Sequence, residues 1–212
     1  VVLSRGLGDV YKRQMHVLLL IDIQNDFLAG GALAVPDGNA VIEVANRAAA
    51  SAEHVVATQD WHPPDHGSFA SRQGVQVGEI FLLDGLSQIA WPDHCIQGSH
   101  GAEFAPELDL SQINHVVQKG TNPLIDSYSG FFDNGGKQST GLDDYLKSIA
   151  ATSLSVIGLA TDYCVKFTVL DALRLGYPTK VRLSGCRGVG LNEGDIDAAV
   201  SEMRDAGAEI VS

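Results

Sequence analysis

The stretch Leu154-Ser-Val-Ile-Gly-Leu-Ala-Thr-Asp-Tyr-Cys-Val165 decides the fold. Residues 154–159 form an apolar run of strand length. Ala160, Thr161 and Asp162 then interrupt it with small and polar side chains. Past Cys164 the period changes. Val165, Val169, Ala172 and Leu173 recur at i, i+4, i+7 and i+8, which is one face of a helix. A strand apolar on both faces that runs straight into a helix is the unit of a parallel sheet covered on both sides.

The same alternation extends in both directions. Residues 16–23, 54–59, 114–118, 180–184 and 209–211 read as strands. Residues 39–52, 141–151, 162–175 and 195–206 read as helices, with Gly176 and Gly207 ending the last two. Residues 63–105 are rich in Gly, Pro and His and have no clear period. A loop that long inside a compact domain is usually functional. The pattern predicts an α/β fold in one domain, residues 15–212. Residues 1–14 carry Arg5, Lys12 and Arg13 but neither an apolar core nor a small-residue cleavage site, so they fail as a signal peptide. They read as a foreign tail, with Met15 as the natural start.

Composition narrows the function. Of 212 residues, 45% are hydrophobic and 19% charged, as in globular domains that fold around one core. A formal net charge of −12 argues against nucleic-acid or anionic-membrane partners and leaves a small neutral substrate open. No run approaches the roughly 20 apolar residues of a membrane span. Three widely spaced cysteines, Cys95, Cys164 and Cys186, do not form a disulfide framework and point to the cytoplasm.

Cys164 lies between a strand and a helix start, where free backbone N–H groups and the helix dipole favour thiolate over thiol. A buried inert thiol is the plainer reading, and two other clusters weigh against it. Gln59-Asp-Trp-His-Pro-Pro-Asp-His66 places Asp60 and His62 two residues apart, on the same side of an extended chain. The Pro63-Pro64 turn can fold His66 back towards them, and His94 is a fourth candidate. A carboxylate with three imidazoles suits zinc, iron(II) or manganese with positions left for water. Asp65 could stand in for His66, and Asp93 and Cys95 are neighbours of the same kind. Asp22 interrupts the apolar run Val17-Leu-Leu-Leu-Ile-Asp-Ile, where a charge is costly unless paired or used. Lys119 closes the strand before Gly120. An acid, a cation and a thiol at three strand ends form a plausible catalytic set.

These residues resemble the nicotinamidases of the isochorismatase-like cysteine hydrolase superfamily. The resemblance covers nearly all of residues 15–212. It rests on Asp22-Ile-Gln-Asn-Asp-Phe27, Gln59-Asp-Trp-His-Pro-Pro-Asp-His66-Gly-Ser-Phe69 and Trp91-Pro-Asp-His-Cys95. It continues through Lys119-Gly120, Asp126-Ser-Tyr-Ser129 and Gly158-Leu-Ala-Thr-Asp-Tyr-Cys164-Val. It implies a three-layer α/β/α fold with a mostly parallel six-stranded sheet. It implies a triad of Cys164, Asp22 and Lys119. It also implies a cis peptide at Leu159–Ala160 and an oxyanion hole from the N–H groups of Ala160 and Cys164. One divalent metal, zinc favoured over iron or manganese, is implied on Asp60, His62, His66 and His94. Phe27 and Trp91 would sandwich the pyridine ring of nicotinamide, with Tyr128 near the pocket. The implied reaction is hydrolysis of nicotinamide to nicotinate and ammonia through a thioester, in NAD salvage.

Three other readings stay open from sequence alone. One is a sister hydrolase of another amide or carbamoyl compound. A second is a metal-water hydrolase with a structural Cys164. The third is a metal-storage or redox-sensing protein. A monomer and a homo-oligomer fit equally.

Overall fold

The computed structural model describes residues 14–212. The reading of residues 1–14 as a tail therefore lies, apart from Gln14, outside the described residues. Among the described residues eight strands and five α-helices follow in order: β1 (Met15–Ile21), α1 (Ala40–Ala49), β2 (His54–Asp60), α2 (Ala70–Gln73), β3 (Ile80–Leu83), β4 (Leu86–Ile89), β5 (His115–Lys119), α3 (Leu142–Ser148), β6 (Ala151–Leu159), α4 (Lys166–Arg174), β7 (Thr179–Arg187), α5 (Asp195–Asp205) and β8 (Glu209–Val211). Six of the strands form one sheet in the order β5-β2-β1-β6-β7-β8. Every neighbouring pair in it is parallel.

The apolar runs are explained by two buried faces. Along β1, Val17, Leu19 and Ile21 join a core with Leu142, Leu146, Val169 and Met203 of α3, α4 and α5. Leu18 and Leu20, pointing the other way, join a second core with Val41, Ile42 and Ala45 of α1. In the central register Leu19 sits between Val56 of β2 and Val156 of β6. Burying each such side chain stabilises the fold by about 1.5–3 kcal/mol. One close approach needs a glycine. At Gly158 (φ 136°) an added Cβ would lie 2.2 Å from the carbonyl oxygen of Ile21 on the neighbouring strand.

The strand order reverses between β1 and β6: the chain moves outward through β2 and β5, then returns to the other side of β1. In open α/β sheets, ligands bind beyond the carboxyl ends of the strands at such a switch point. Asp22 follows β1, Asp60 ends β2, Lys119 ends β5 and Cys164 follows β6.

Two parts differ from the sequence reading. The predicted helix over 162–175 is a π-helical turn, Thr161–Val165, followed by α4 from Lys166. Cys164 thus lies two residues ahead of the regular helix. The segment 63–105 is not without structure. It holds α2 and an antiparallel hairpin of β3 and β4, closed at Leu83–Leu86 over Asp84 (φ 49°) and Gly85 (φ 77°). Positive φ at both turn residues is the two-residue hairpin geometry that Asp-Gly favours. Among the described residues no helix is long and apolar enough to cross a membrane.

Candidate active site

Lys119 organises one half of the site. It is 1% exposed, and its Nζ donates to Asp60 Oδ1 at 2.5 Å, to the Ser127 carbonyl at 3.0 Å and to Cys164 Sγ at 3.4 Å. Those are the three protons of an ammonium. Asp22 Oδ2 lies 2.9 Å from the same nitrogen as an ion pair, while its Oδ1 accepts from Thr58 Oγ1 at 2.6 Å. Asp22 also holds a left-handed backbone (φ 48°), which turns the chain sharply off β1. A non-Gly residue in that region is uncommon.

The protonation states follow from burial against these contacts. Burial alone would lower the Lys119 pKa, but Asp22 and Asp60 hold it well above its ordinary value. Burial would raise the pKa of Asp60, yet Lys119 and His62 hold it below the usual carboxylate range. Asp22 is raised, because burial outweighs Lys119 and Asp60 adds to it. The Cys164 thiol is pushed well above its ordinary value by burial, against Lys119 and with Asp22 and Asp60 adding. This corrects the expectation of a resting thiolate. The sulfur is buried but lines the cavity, and it accepts from Lys119 Nζ beside the Asp22 carboxylate. A desolvated Asp22 is in turn a stronger base than a surface carboxylate.

Histidines build the other half. His62 leaves β2 two residues after Asp60, and its backbone N–H donates to the carbonyl of Cys95 at 3.0 Å. That pairing brings His94 alongside, with ring centroids 4.8 Å apart. The N–H of His66 donates to the Pro63 carbonyl at 3.0 Å, so the proline turn brings its ring to 4.3 Å from that of His62. Nδ1 of His62 lies 2.8 Å from the Gly120 carbonyl, and Nδ1 of His94 lies 2.8 Å from the Pro92 carbonyl. A carbonyl only accepts, so each Nδ1 carries its proton and each Nε2 presents a lone pair. Gly120 allows this approach, because a Cβ there would lie 2.3 Å from His62 Cε1.

Those lone pairs are the test for a metal. Nε2 of His62 and of His66 is buried with no hydrogen-bond partner, although His66 Nδ1 accepts the Ser68 backbone N–H at 3.2 Å, so that a neutral His66 carries its proton on Nε2. Asp60 Oδ2 lies 3.5 Å from His62 Nε2 and 3.8 Å from His94 Nε2. Against burial, Asp60 raises the His62 pKa, so without a cation that ring favours a proton, and a metal bound there takes the proton's place. A carboxylate converging with imidazole nitrogens fits a divalent cation. Burial, then His62, lowers the His94 pKa to about 4, which keeps that ring neutral as a ligand must be. Ligating atoms of Asp60, His62 and His94 all lie within 4.8 Å of one another. His66 groups instead with His62 and Asp126. Asp65 and Asp93 are exposed, and Cys95 Sγ faces the Gly101 carbonyl at 3.9 Å.

Between the halves lies a small, narrow cavity lined by Phe27, Asp60, Trp91, His94, Tyr128, Ala160 and Cys164. The expected aromatic residues are all present. Leu33, Asp126, Tyr163 and Val189 also line it. Sequence reasoning named none of these four as site residues. Tyr163 and Asp126 lay inside quoted motifs, whereas Leu33 and Val189 carry no chemical signal at all. Trp91 Nε1 donates to the Tyr128 hydroxyl at 3.0 Å, and Tyr163 meets Trp91 edge-on at 4.9 Å. The Leu159–Ala160 peptide is cis, as the resemblance implied. A thiol, a base, an ammonium and a flat slot beside a cation site can together carry out acyl transfer on a planar amide.

Known proteins share this framework. The nicotinamidase of Escherichia coli K12 is 55% identical over 199 residues, covering 92% of this chain and 93% of that one. The structure of an Acinetobacter baumannii nicotinamidase/pyrazinamidase superposes with a TM-score of 0.91 at 42% identity, covering 95% and 97%. The Pyrococcus horikoshii pyrazinamidase in complex with zinc superposes with a TM-score of 0.77 at 33% identity, covering 93% and 99%. The isochorismatase domain model matches residues 16–212, and the chain belongs to that family.

Proposed function

We propose that this protein is a metal-dependent cysteine amidohydrolase, converting nicotinamide to nicotinate and ammonia in NAD salvage. The observation that carries the reading is the contact of Lys119 Nζ with both Cys164 Sγ and Asp22, opening into an aromatic slot beside three imidazoles. Sequence similarity to nicotinamidases over 92% of the chain supports it.

Asp22 takes the Cys164 proton as sulfur attacks the carboxamide carbon. The Lys119 ammonium stabilises the developing thiolate across 3.4 Å. Backbone N–H groups of Ala160 and Cys164 hold the oxyanion, each such donor contributing about 3 kcal/mol to the transition state. The C–N bond then breaks, and Asp22 returns the proton to the departing nitrogen as ammonia, leaving a thioester. A water deprotonated by Asp22 adds to the thioester carbon. Sulfur leaves with the proton and nicotinate is released. Phe27 and Trp91 flank the ring and keep it in plane.

Asp60, His62 and His94, with His66, would hold the divalent cation, for which we propose zinc. Bound there, it supplies a Lewis-acid centre for the pyridine nitrogen. The same slot accommodates the pyrazine ring of pyrazinamide. Three free cysteines support a cytoplasmic location.

The deciding experiment measures ammonia release from nicotinamide before and after thiol alkylation. Release that alkylation abolishes is expected. Release that survives it would make Cys164 structural and favour a metal-bound water as nucleophile.

A further inference from the structure

The β3–β4 hairpin inverts the usual burial pattern. Ile80 and Leu82 are 68% and 73% exposed, whereas Gln88 is 3% exposed and is the only fully buried residue of either strand. A two-stranded hairpin alone is marginal in water, and apolar contact would be its ordinary anchor. Burying a carboxamide instead is costly unless its hydrogen bonds are made. Here they are. Gln88 Nε2 donates to the Ile89 carbonyl and to the Tyr128 hydroxyl, each at 2.9 Å, with Asp126 Oδ2 a longer contact at 3.2 Å. Its Oε1 accepts from Asn134 Nδ2 at 3.3 Å, and Asn134 Oδ1 in turn accepts the Tyr128 backbone N–H at 2.9 Å.

The partners of Gln88 are cavity walls. Tyr128 and Asp126 line the cavity, and the Tyr128 hydroxyl also accepts from Trp91 Nε1. Two donors on one hydroxyl fix the Tyr128 and Trp91 rings relative to each other. Asp126, the longer contact of Gln88, groups in turn with His62 and His66, their ligating atoms within 4.8 Å of one another. The hairpin thus reaches the substrate pocket through one side chain.

We propose that Gln88 is a positioning residue for the substrate ring: it holds the Trp91–Tyr128 wall and the Asp126 carboxylate in the arrangement that admits a flat heteroaromatic amide. This rests on the nicotinamidase reading. Gln88 does not touch the reacting atoms, so its loss should act on binding rather than on chemistry.

The test is Gln88→Met in the metal-replete protein, which keeps side-chain length and removes the donors. Loss of one buried hydrogen-bond donor predicts a KM for nicotinamide about fivefold higher. The kcat should stay within about twofold, with equal metal content and a Tm lower by a few degrees, because the partners of Gln88 lose a buried hydrogen bond. In a Tyr128→Phe background the same substitution should have at most half that effect on KM, because the shared acceptor is gone. If Gln88→Met folds poorly, Gln88→Asn replaces it with the same expectation, since it retracts the carboxamide by one carbon. An unchanged KM, a loss confined to kcat, or full additivity with Tyr128→Phe would overturn the inference. Wild-type protein that releases no ammonia from nicotinamide would overturn the nicotinamidase reading itself, whereas wild-type turnover with an unchanged KM in the variant removes only the role of Gln88.

Discussion

The two halves of the cavity solve opposite problems. On the thiol side every charged group has a counterpart within the protein. Lys119 faces Asp22, Asp60 and the Cys164 sulfur, and all four hang from the ends of strands in one sheet. On the histidine side the supporting chain is irregular, and two imidazole nitrogens have no partner. Asp22, Asp60 and Asp126 also outnumber the single Lys119 among the buried groups. The thiol half therefore balances its charges as folded, Asp22 Oδ2 meeting Lys119 as an ion pair without a hydrogen bond, while the histidine half is built for a cation that the chain does not supply. Rigid strand ends hold the reacting groups, and loops hold the group that comes from outside.

The sharpest way to break this division is Cys164→Ala. It should lower ammonia release from nicotinamide by at least about 10³-fold, as expected when a nucleophile is removed. Metal content, measured by atomic emission, should be unchanged. A Cys164→Ala protein that loses its metal would show the halves to be one unit. Stripping the metal with a chelator attacks the other half. A ligand present at about 1,000 times its Kd stabilises by about 4 kcal/mol, on the order of 10 °C in Tm for a chain of this size. That loss, restored by zinc, is expected in thermal unfolding. A Tm indifferent to chelation would mean that the orphaned imidazoles are tolerated empty. More finely, His62→Ala should lower metal content at limiting zinc by at least about tenfold, because this ring belongs to both ligand groupings. His66→Ala should lower it less, because His66 groups with Asp126 rather than with Asp60 and His94.

The same division governs what the sequence revealed. Strands in the central sheet are apolar on both faces, so their runs were legible, and β8 over Glu209–Val211 coincides with the predicted strand. Groups at strand ends were legible too, since Asp22 and Lys119 stand out against apolar neighbours. The rest of the pocket was not. Leu33 and Val189 are ordinary apolar residues delivered by separate loops, and no local period marks them. The hairpin was hidden because its strands expose apolar side chains and bury a glutamine, against the alternation that identifies strands. Its one signal was the pair Asp84-Gly85. The thiol's protonation was misjudged for a related reason. Position at a strand–helix junction can be read from sequence, but burial among carboxylates cannot, and burial is the largest influence on the thiol.

A second thiol isolates that effect. Cys186, on β7, is buried like Cys164, with its Sγ 3.3 Å from the Arg182 carbonyl and no carboxylate among the groups that shift it. Burial pushes it up to about 12, against small opposing effects of a Gly158 backbone hydrogen bond and Arg187. In the unfolded chain the thiol ionises near pH 9, so between about 9 and 12 the unfolded state binds fewer protons than the folded one. Stability therefore falls as pH rises through that window. One such group costs about 1.4 kcal/mol by pH 10. Cys186→Ala should flatten the alkaline limb of stability by that amount in denaturant titrations from pH 8 to 10, and leave nicotinamide turnover intact. An alkaline limb identical to wild type would mean that Cys186 ionises freely in the folded protein. The two thiols would then differ in enclosure as well as in neighbours. If the limb flattens as expected, burial is common to both, and what sets Cys164 apart is the carboxylate and the ammonium beside it.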